Sequence, residues 1–148
     1  MWSGISLTEA REIWSREQAS FAPVSVEGWQ ASALRDDLDE LEQARFERPQ
    51  IRLLPYFDSF LIGHRDREHL VAMLHQPKVY RAQGWIAPVV LVDGRAAAIW
   101  EYAREGKRLH IKVTKFEAIP RHIAAGIREE AQDLGRFLGI PNVDVLLD

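Results

Sequence analysis

Apolar residues recur along the chain with two periods, and the changes between them outline the elements. Ser6 followed three residues later by Glu9 has the form of a reciprocal N-terminal cap. Ala10, Ile13 and Trp14 then follow at helical spacing, which predicts a first helix over about 7–18. Phe21, Val24 and Val26 lie around Pro23, which cannot donate to a central ladder, so this stretch is expected as a short edge strand. Leu34, Leu38 and Leu41 form a stripe whose other faces carry Asp36, Asp37, Asp39, Glu40 and Glu42, the pattern of a second, acidic helix. The run from Ile51 to Ile62 is largely apolar and reads as two strand-like pieces bent at Pro55. The charged stretch His64–His69 runs into Leu70, Val71, Met73 and Leu74, predicting a short helix ended by Pro77, with 78–84 as connecting chain.

The second half is more sharply patterned. Val89–Val92 and Ala96–Trp100 flank Asp93-Gly94, a pair in which both residues tolerate positive φ, so a tight hairpin is expected. A second reversal at Glu105-Gly106 leads into Leu109, Ile111 and Val113. These alternate with Arg108, His110, Lys112 and Thr114, so three consecutive antiparallel strands result, the last with one apolar and one basic face. After Pro120, apolar residues at Ile123, Ile127, Ala131, Leu134 and Leu138 predict a long amphipathic helix. Gly139 and Pro141 stop it, and Val143–Leu147 forms a terminal strand. The expected fold is α+β: an antiparallel sheet or barrel-like core with flanking helices, a single domain over 1–148 whose first 50 residues are helical and acidic and whose remainder is β-rich.

At 148 residues, 47% hydrophobic and 28% charged, the chain has ordinary globular proportions and can bury a core without staples. It has no cysteine, which removes thiolate catalysis and cysteine-bound zinc and fits a reducing cytoplasm. No early apolar stretch resembles a signal peptide or a membrane span, so a cytoplasmic location without membrane contact is expected. The net charge is −3, unevenly spread: residues 1–50 are net −5 and residues 51–148 net +2. Between 104 and 128 stand seven basic residues against Glu105 and Glu117, a local excess expected to face anions.

Candidate chemistry is sparse. His64, His69 and His75 are spaced by five and six, so no two share the i, i+4 spacing of a helical metal site, and neither metal nor cofactor is expected. Nucleophile-elbow and phosphate-loop motifs are missing. Asp58, between Phe57 and Phe60, is either a carboxylate paired with Arg65 or Arg67 or an acid–base group of shifted pKa. Trp85 and Trp100 could stack on bases, but Trp100 lies among apolar strand residues and core packing is expected of both. The strongest binding candidate is the basic strand and its turn, with Arg104, Lys107, Arg108, His110 and Lys112 projecting from a ribbon that could straddle a DNA groove.

The residues Arg52-Leu-Leu-Pro-Tyr-Phe-Asp-Ser-Phe-Leu-Ile-Gly-His-Arg-Asp-Arg67 resemble a known family. So do Val90-Leu-Val-Asp-Gly-Arg95, with Trp100 closing the next strand, the opening Trp2-Ser3-Gly4 and the final helix ending near Phe137-Leu138-Gly139. They are similar to the C-terminal part of the bacterial tandem winged-helix DNA-binding proteins that include interstrand-crosslink DNA glycosylases. That resemblance implies a winged-helix-like element, a concave DNA-binding surface, double-stranded DNA as partner and further N-terminal winged-helix domains as another. It also implies a catalytic Gln-x-Gln motif. Here no two glutamines stand two apart, so the chain is not expected to act as a glycosylase by itself. Arg65, Arg67, Arg104, Lys107, Arg108 and Lys112 are expected to position phosphates. The alternatives are a partner-docking domain that touches no DNA, or an enzyme using Asp58 or a histidine in a cleft.

Overall fold

A computed structural model describes residues 4–26, 28–64 and 66–148. The chain divides into two compact units, Met1–Glu47 and Arg48–Asp148.

The first unit begins with α1 (Leu7–Glu17), whose start is set by the expected cap. The Ser6 hydroxyl accepts from the Glu9 N–H at 3.2 Å, and the Glu9 carboxylate accepts from the Ser6 N–H at 2.8 Å. The Ser6 side chain, and after it the Ser6 N–H, favour the ionised carboxylate by hydrogen bonding, so the Glu9 carboxyl lies below its ordinary value of 4.5. A depressed carboxyl stabilises the helix fully above that ordinary value, and the contribution is lost as pH falls through the lower folded value. The protection factors of the amides at residues 7–10, which compare their exchange with that of an unfolded chain at the same pH, should therefore fall on acidification. Ser6→Ala should weaken the pH dependence by removing the hydroxyl, while the Ser6 N–H still donates to the Glu9 carboxylate.

Strand β1 (Phe21–Val26) forms as expected, but its partner is β2 (Trp29–Leu34), from Phe21 opposite Leu34 to Val26 opposite Trp29. Leu34 thus belongs to a strand, and the acidic helix is only α2 (Leu38–Gln43). A hairpin of six residue pairs outcompetes the helical stripe because it satisfies backbone groups across both arms. Trp14 packs on Phe21 with ring centroids 5.0 Å apart, and Ala22 is the one buried hydrophobic described in this unit.

The second unit is built on a five-stranded sheet of order β3-β4-β5-β6-β7, comprising β3 (Ile51–Leu54), β4 (Val89–Val92), β5 (Arg95–Glu105), β6 (Arg108–Lys115) and β7 (Asn142–Leu147). The first four strands pair antiparallel in order, and β7 joins β6 in parallel. A parallel return needs a crossover, supplied by the long helix α5 (Arg121–Phe137). Helix α5 packs against β3 and β7, the two edges of the sheet, so the sheet curls around it as a partial barrel. Its buried row is Ile123, Ile127, Ala131 and Gly135, one residue per turn. This row meets Ile51, Val90, Ala98, Trp100, Leu109, Ile111, Val113 and Ile140 in the main core. The Trp100 indole N–H donates to the Leu54 carbonyl at 2.8 Å, so its one polar atom is satisfied inside.

Between β3 and β4 the chain departs from its expected course. The second half of the Ile51–Ile62 run is not a strand: Phe57 adopts φ +56°, and Asp58 starts the short helix α3 (Ser59–Ile62). Pro77 does not end a helix but lies in the first turn of α4 (Gln76–Val79), where its missing N–H costs nothing. The 78–84 stretch is likewise more than connecting chain, since Tyr80 bridges Ile86 to close a tight loop. Leu61, Leu70, Val71, Val79 and Ile86 pack with Val89 and Leu91 in a second core on the opposite sheet face. At the Asp93-Gly94 turn both residues have positive φ, +50° and +81°. Asp93 also exchanges bonds with Gln50, its N–H donating to the Gln50 carbonyl and its carboxylate accepting from the Gln50 N–H, each at 2.8 Å. Among the described residues no helix is long and apolar enough to cross a membrane.

Candidate nucleic-acid interface

The β5–β6 ribbon carries most of the cations singled out in the sequence. Residues 101–108, covering its tip, are all exposed. Paired residues on neighbouring strands point to the same face. Arg108, His110 and Lys112 therefore share a face with Glu105, Ala103 and Glu101, whereas Arg104 lies opposite Leu109 on the other face. The ribbon's cations are not gathered on one surface. Lys107 occupies the turn beside Gly106, and Arg104 Nε donates to the Gly106 carbonyl at 3.2 Å.

The outward face of β6 is also less basic than the strand alone suggests. Parallel pairing with β7 places Asp144 beside His110. Arg108 pairs with Asp144 at 3.2 Å, Lys112 pairs with Asp148 at 3.3 Å, and His110 lies 3.5 Å from both Glu105 and Asp144. With Glu101 and Glu105, four carboxylates stand against Arg108, Lys112 and the His110 ring. Such a face repels phosphate on balance, while the tip, where Lys107 has no side-chain partner among the described residues, does not. Asp144 and Asp148 were invisible to sequence reasoning, because nothing local says that the last strand docks beside β6.

Arg67 is held elsewhere. Its guanidinium lies 4.0 Å above the Tyr80 ring, and its Nε is buried without a hydrogen-bond partner. Burial raises the Tyr80 phenol above its ordinary value of 10.0, against the opposing pull of Arg67. The phenol thus stays protonated and donates to the Leu61 carbonyl at 3.2 Å. Arg65 lies outside the described residues.

The Asp58 carboxylate accepts from the Phe60 N–H at 2.8 Å as the N-cap of α3, a backbone donor not among the partners expected from the sequence. His64 and His69, separated by five residues, approach to 3.3 Å, His69 lying in a turn and not in a helix. Among the described residues no three His, Cys, Asp or Glu groups converge as a metal site. His75 lines a cavity of about 270 Å³ with Leu70, Ala96, Phe116, Ile119 and Ile123, its ring stacked on Phe116 at 4.5 Å. Trp100 is buried, but Trp85, expected in the core, is 47% exposed.

A family profile described as DNA glycosylase AlkZ-like matches residues 1–137. A curated relative, an interstrand DNA cross-link repair glycosylase of Streptomyces sahachiroi, is 35% identical over 123 residues, covering 82% of this chain and 32% of the relative. The solved structure of the Streptomyces sahachiroi DNA glycosylase AlkZ superposes with a TM-score of 0.80 at 31% identity, covering 97% of this chain and 38% of that one. The chain thus spans about a third of the length of the relatives it matches. With the profile matched over nearly all of its length and the curled sheet reproduced in a solved relative, the chain belongs to the AlkZ-like DNA glycosylase family.

Proposed function

We propose that this chain is a DNA-contacting module of a repair protein and that it meets duplex DNA through backbone phosphates at the tip of the β5–β6 ribbon. The observation that carries this reading is the exposed tip itself, where Arg104, Lys107 and Arg108 surround a tight turn; Glu105 lies beside them and Asp144 already pairs with Arg108, so Arg104 and Lys107 are the cations left for phosphate. A two-stranded ribbon is narrow enough to approach a groove, and cations on both of its faces can reach the two flanking phosphate rows. Lys112, already paired with Asp148, contributes less, and Arg67 acts on phosphate only if it leaves Tyr80. Arg65 keeps its assignment to phosphate from its place in the sequence. The winged-helix element implied by the resemblance corresponds best to α1 with the β1–β2 hairpin, a helix followed by a two-stranded wing. The relatives are named as glycosylases, and residues 1–148 contain no Gln-x-Gln pair, which limits the role proposed for them to DNA contact.

Binding should be weak and non-specific, with Kd on the order of 10⁻⁴ to 10⁻⁶ M at moderate salt, and should weaken steeply as salt rises. Arg104→Ala with Lys107→Ala should reduce the slope of log affinity against log salt by roughly 2, about one per lost phosphate contact. Lys112→Ala should change it far less. Fluorescence anisotropy with a labelled duplex at several salt concentrations measures both, and an unchanged slope in the double variant would remove the tip from the interface.

One observation favours a second role for the first unit. Among its described residues only Ala22 is buried, while Leu7, Trp14, Val26, Trp29, Leu41 and Phe46 are exposed. So much exposed apolar surface on a small unit suits docking to another protein segment. Size-exclusion elution with and without the N-terminal part of a longer family member tests it: unshifted elution speaks against docking.

A further inference from the structure

Tyr56, Phe57 and Trp85 come together at the end of the second unit's β3. The Trp85 ring lies 5.4 Å from Tyr56 and 4.9 Å from Phe57, both pairs edge to face, yet each residue is 44–47% exposed. Single exposed aromatics are ordinary on protein surfaces, but three held against one another with nearly half their area wet are not. The backbone around them is also unusual. Phe57 and Gln83, neither a glycine, both have left-handed φ, +56° and +59°. Such conformations crowd a side chain's Cβ against its own backbone, and they persist where surrounding bonds enforce them. Those bonds are present. Tyr80 bridges Ile86, Arg81 N–H donates to the Trp85 carbonyl at 2.7 Å, Trp85 N–H donates to the Ala82 carbonyl at 3.3 Å, and Phe57 N–H donates to the Ile86 carbonyl at 3.4 Å. The loop thus turns at Ala82–Gly84 and holds Trp85 on its returning arm, next to the bridge, with Phe57 beside it.

The loop itself contributes cations and no carboxylate: no aspartate or glutamate occurs between His69 and Val92, and of Lys78 and Arg81 in that stretch Lys78 lies over the Phe116 ring at 5.4 Å, which leaves Arg81 as the cation next to Trp85 along the loop. Asp58, the carboxylate nearest in sequence to Phe57, is engaged as the cap of α3. Arg81 is exposed, and its side chain uses only Nε, donating to the Lys78 carbonyl at 3.1 Å. Flat aromatic faces beside a guanidinium with free terminal nitrogens match an unstacked nucleobase and its adjoining phosphate.

We propose that Tyr56, Phe57 and Trp85 form a stacking platform for an unpaired DNA base, with Arg81 holding the neighbouring phosphate. The platform rests on the DNA-contacting reading of this chain but is separate from the ribbon tip.

The test compares three labelled oligonucleotides at low salt: a fully paired duplex, the same duplex with a central run of unpaired thymines, and single-stranded oligo(dT). Trp85→Ala should weaken binding of the two unpaired probes roughly 5- to 100-fold, the range of one lost base–aromatic stack, and leave the paired duplex unchanged. Trp85→Phe should retain most of the affinity, and Arg81→Ala should weaken the unpaired probes as well. Unchanged affinity of Trp85→Ala for the unpaired probes, with paired duplex still bound, overturns the platform while leaving the ribbon reading intact. Binding of no probe by the unaltered chain overturns both. An equal loss on all three probes accompanied by a lower thermal midpoint identifies Trp85 as structural and overturns the platform. Loss of self-association in sedimentation velocity, with oligonucleotide binding untouched, identifies a protein contact and overturns it too.

Discussion

Ile127→Ala is expected to destabilise the second unit by about 2–5 kcal/mol, the cost of emptying a fully enclosed site in a packed core. Ile127 is fully buried at the middle of the inward row of α5, surrounded by the main core of the curled sheet. Because α5 packs on both sheet edges, a cavity beneath it is lined from several sides, and the strands cannot all close in to refill it. Ile127→Val removes one methylene and should cost only about 0.5–1.5 kcal/mol. Urea unfolding followed by far-UV circular dichroism measures both. Equal small losses for the two variants would mean that the helix rides loosely on the sheet.

Gly135→Ala should be destabilising by about 1–3 kcal/mol, even though alanine is the better helix former by about 1 kcal/mol. A methyl group at this position would come within 2.3 Å of Val143 Cγ2 and 2.7 Å of the Ile140 carbonyl oxygen. The valine can turn away. The carbonyl belongs to the backbone that ends the helix, where Gly139 at φ +69° and the Ile140 N–H, donating to the Gly135 carbonyl at 2.8 Å, set the turn into β7. Relief therefore requires moving α5 away from β7 and loosening the parallel pair. Gly126 provides the contrast: its added methyl would meet Ile51 Cδ1 at 2.3 Å, the far end of a flexible side chain. Gly126→Ala should be close to neutral, with Ile51 rotating as the helix gains intrinsic stability. Thermal melts of the two variants compare them directly, and a Gly135→Ala protein as stable as the parent would show that β7 is not clamped by the helix.

Much of the local structure was legible because its causes are local. The Ser6–Glu9 cap, the Asp93-Gly94 turn, the alternation of Leu109, Ile111 and Val113 with polar neighbours and the four-residue rhythm of α5 each depend on groups a few positions apart. The α+β class followed from these and the family resemblance from the Arg52–Arg67 motif, and both are met by the curled sheet and by the matches to AlkZ-like proteins. The misreadings share another feature. Ser59–Ile62 has a strand-like composition, but Asp58 caps a helix there, and the Trp29–Leu34 strand exists only because β1 offers it a partner. Pattern alone does not rank two conformations of a short apolar run when a distant contact decides between them.

The candidate site divides along the same line. Which side chains are cationic, and that they crowd into residues 104–112, was determined by the sequence alone, since charge and alternation are properties of the residues themselves. Which of them face together was decided only in three dimensions. The strand register sends Arg104 to one face and Arg108 to the other, and the crossover through α5 lays Asp144 and Asp148 beside the basic row. The aromatic group of Tyr56, Phe57 and Trp85 is likewise a product of folding, joined across 28 positions by a loop that the Tyr80–Ile86 bridge closes. Electrostatic fields and exposed surfaces depend on distances through space, and chain order constrains those distances only over a few residues.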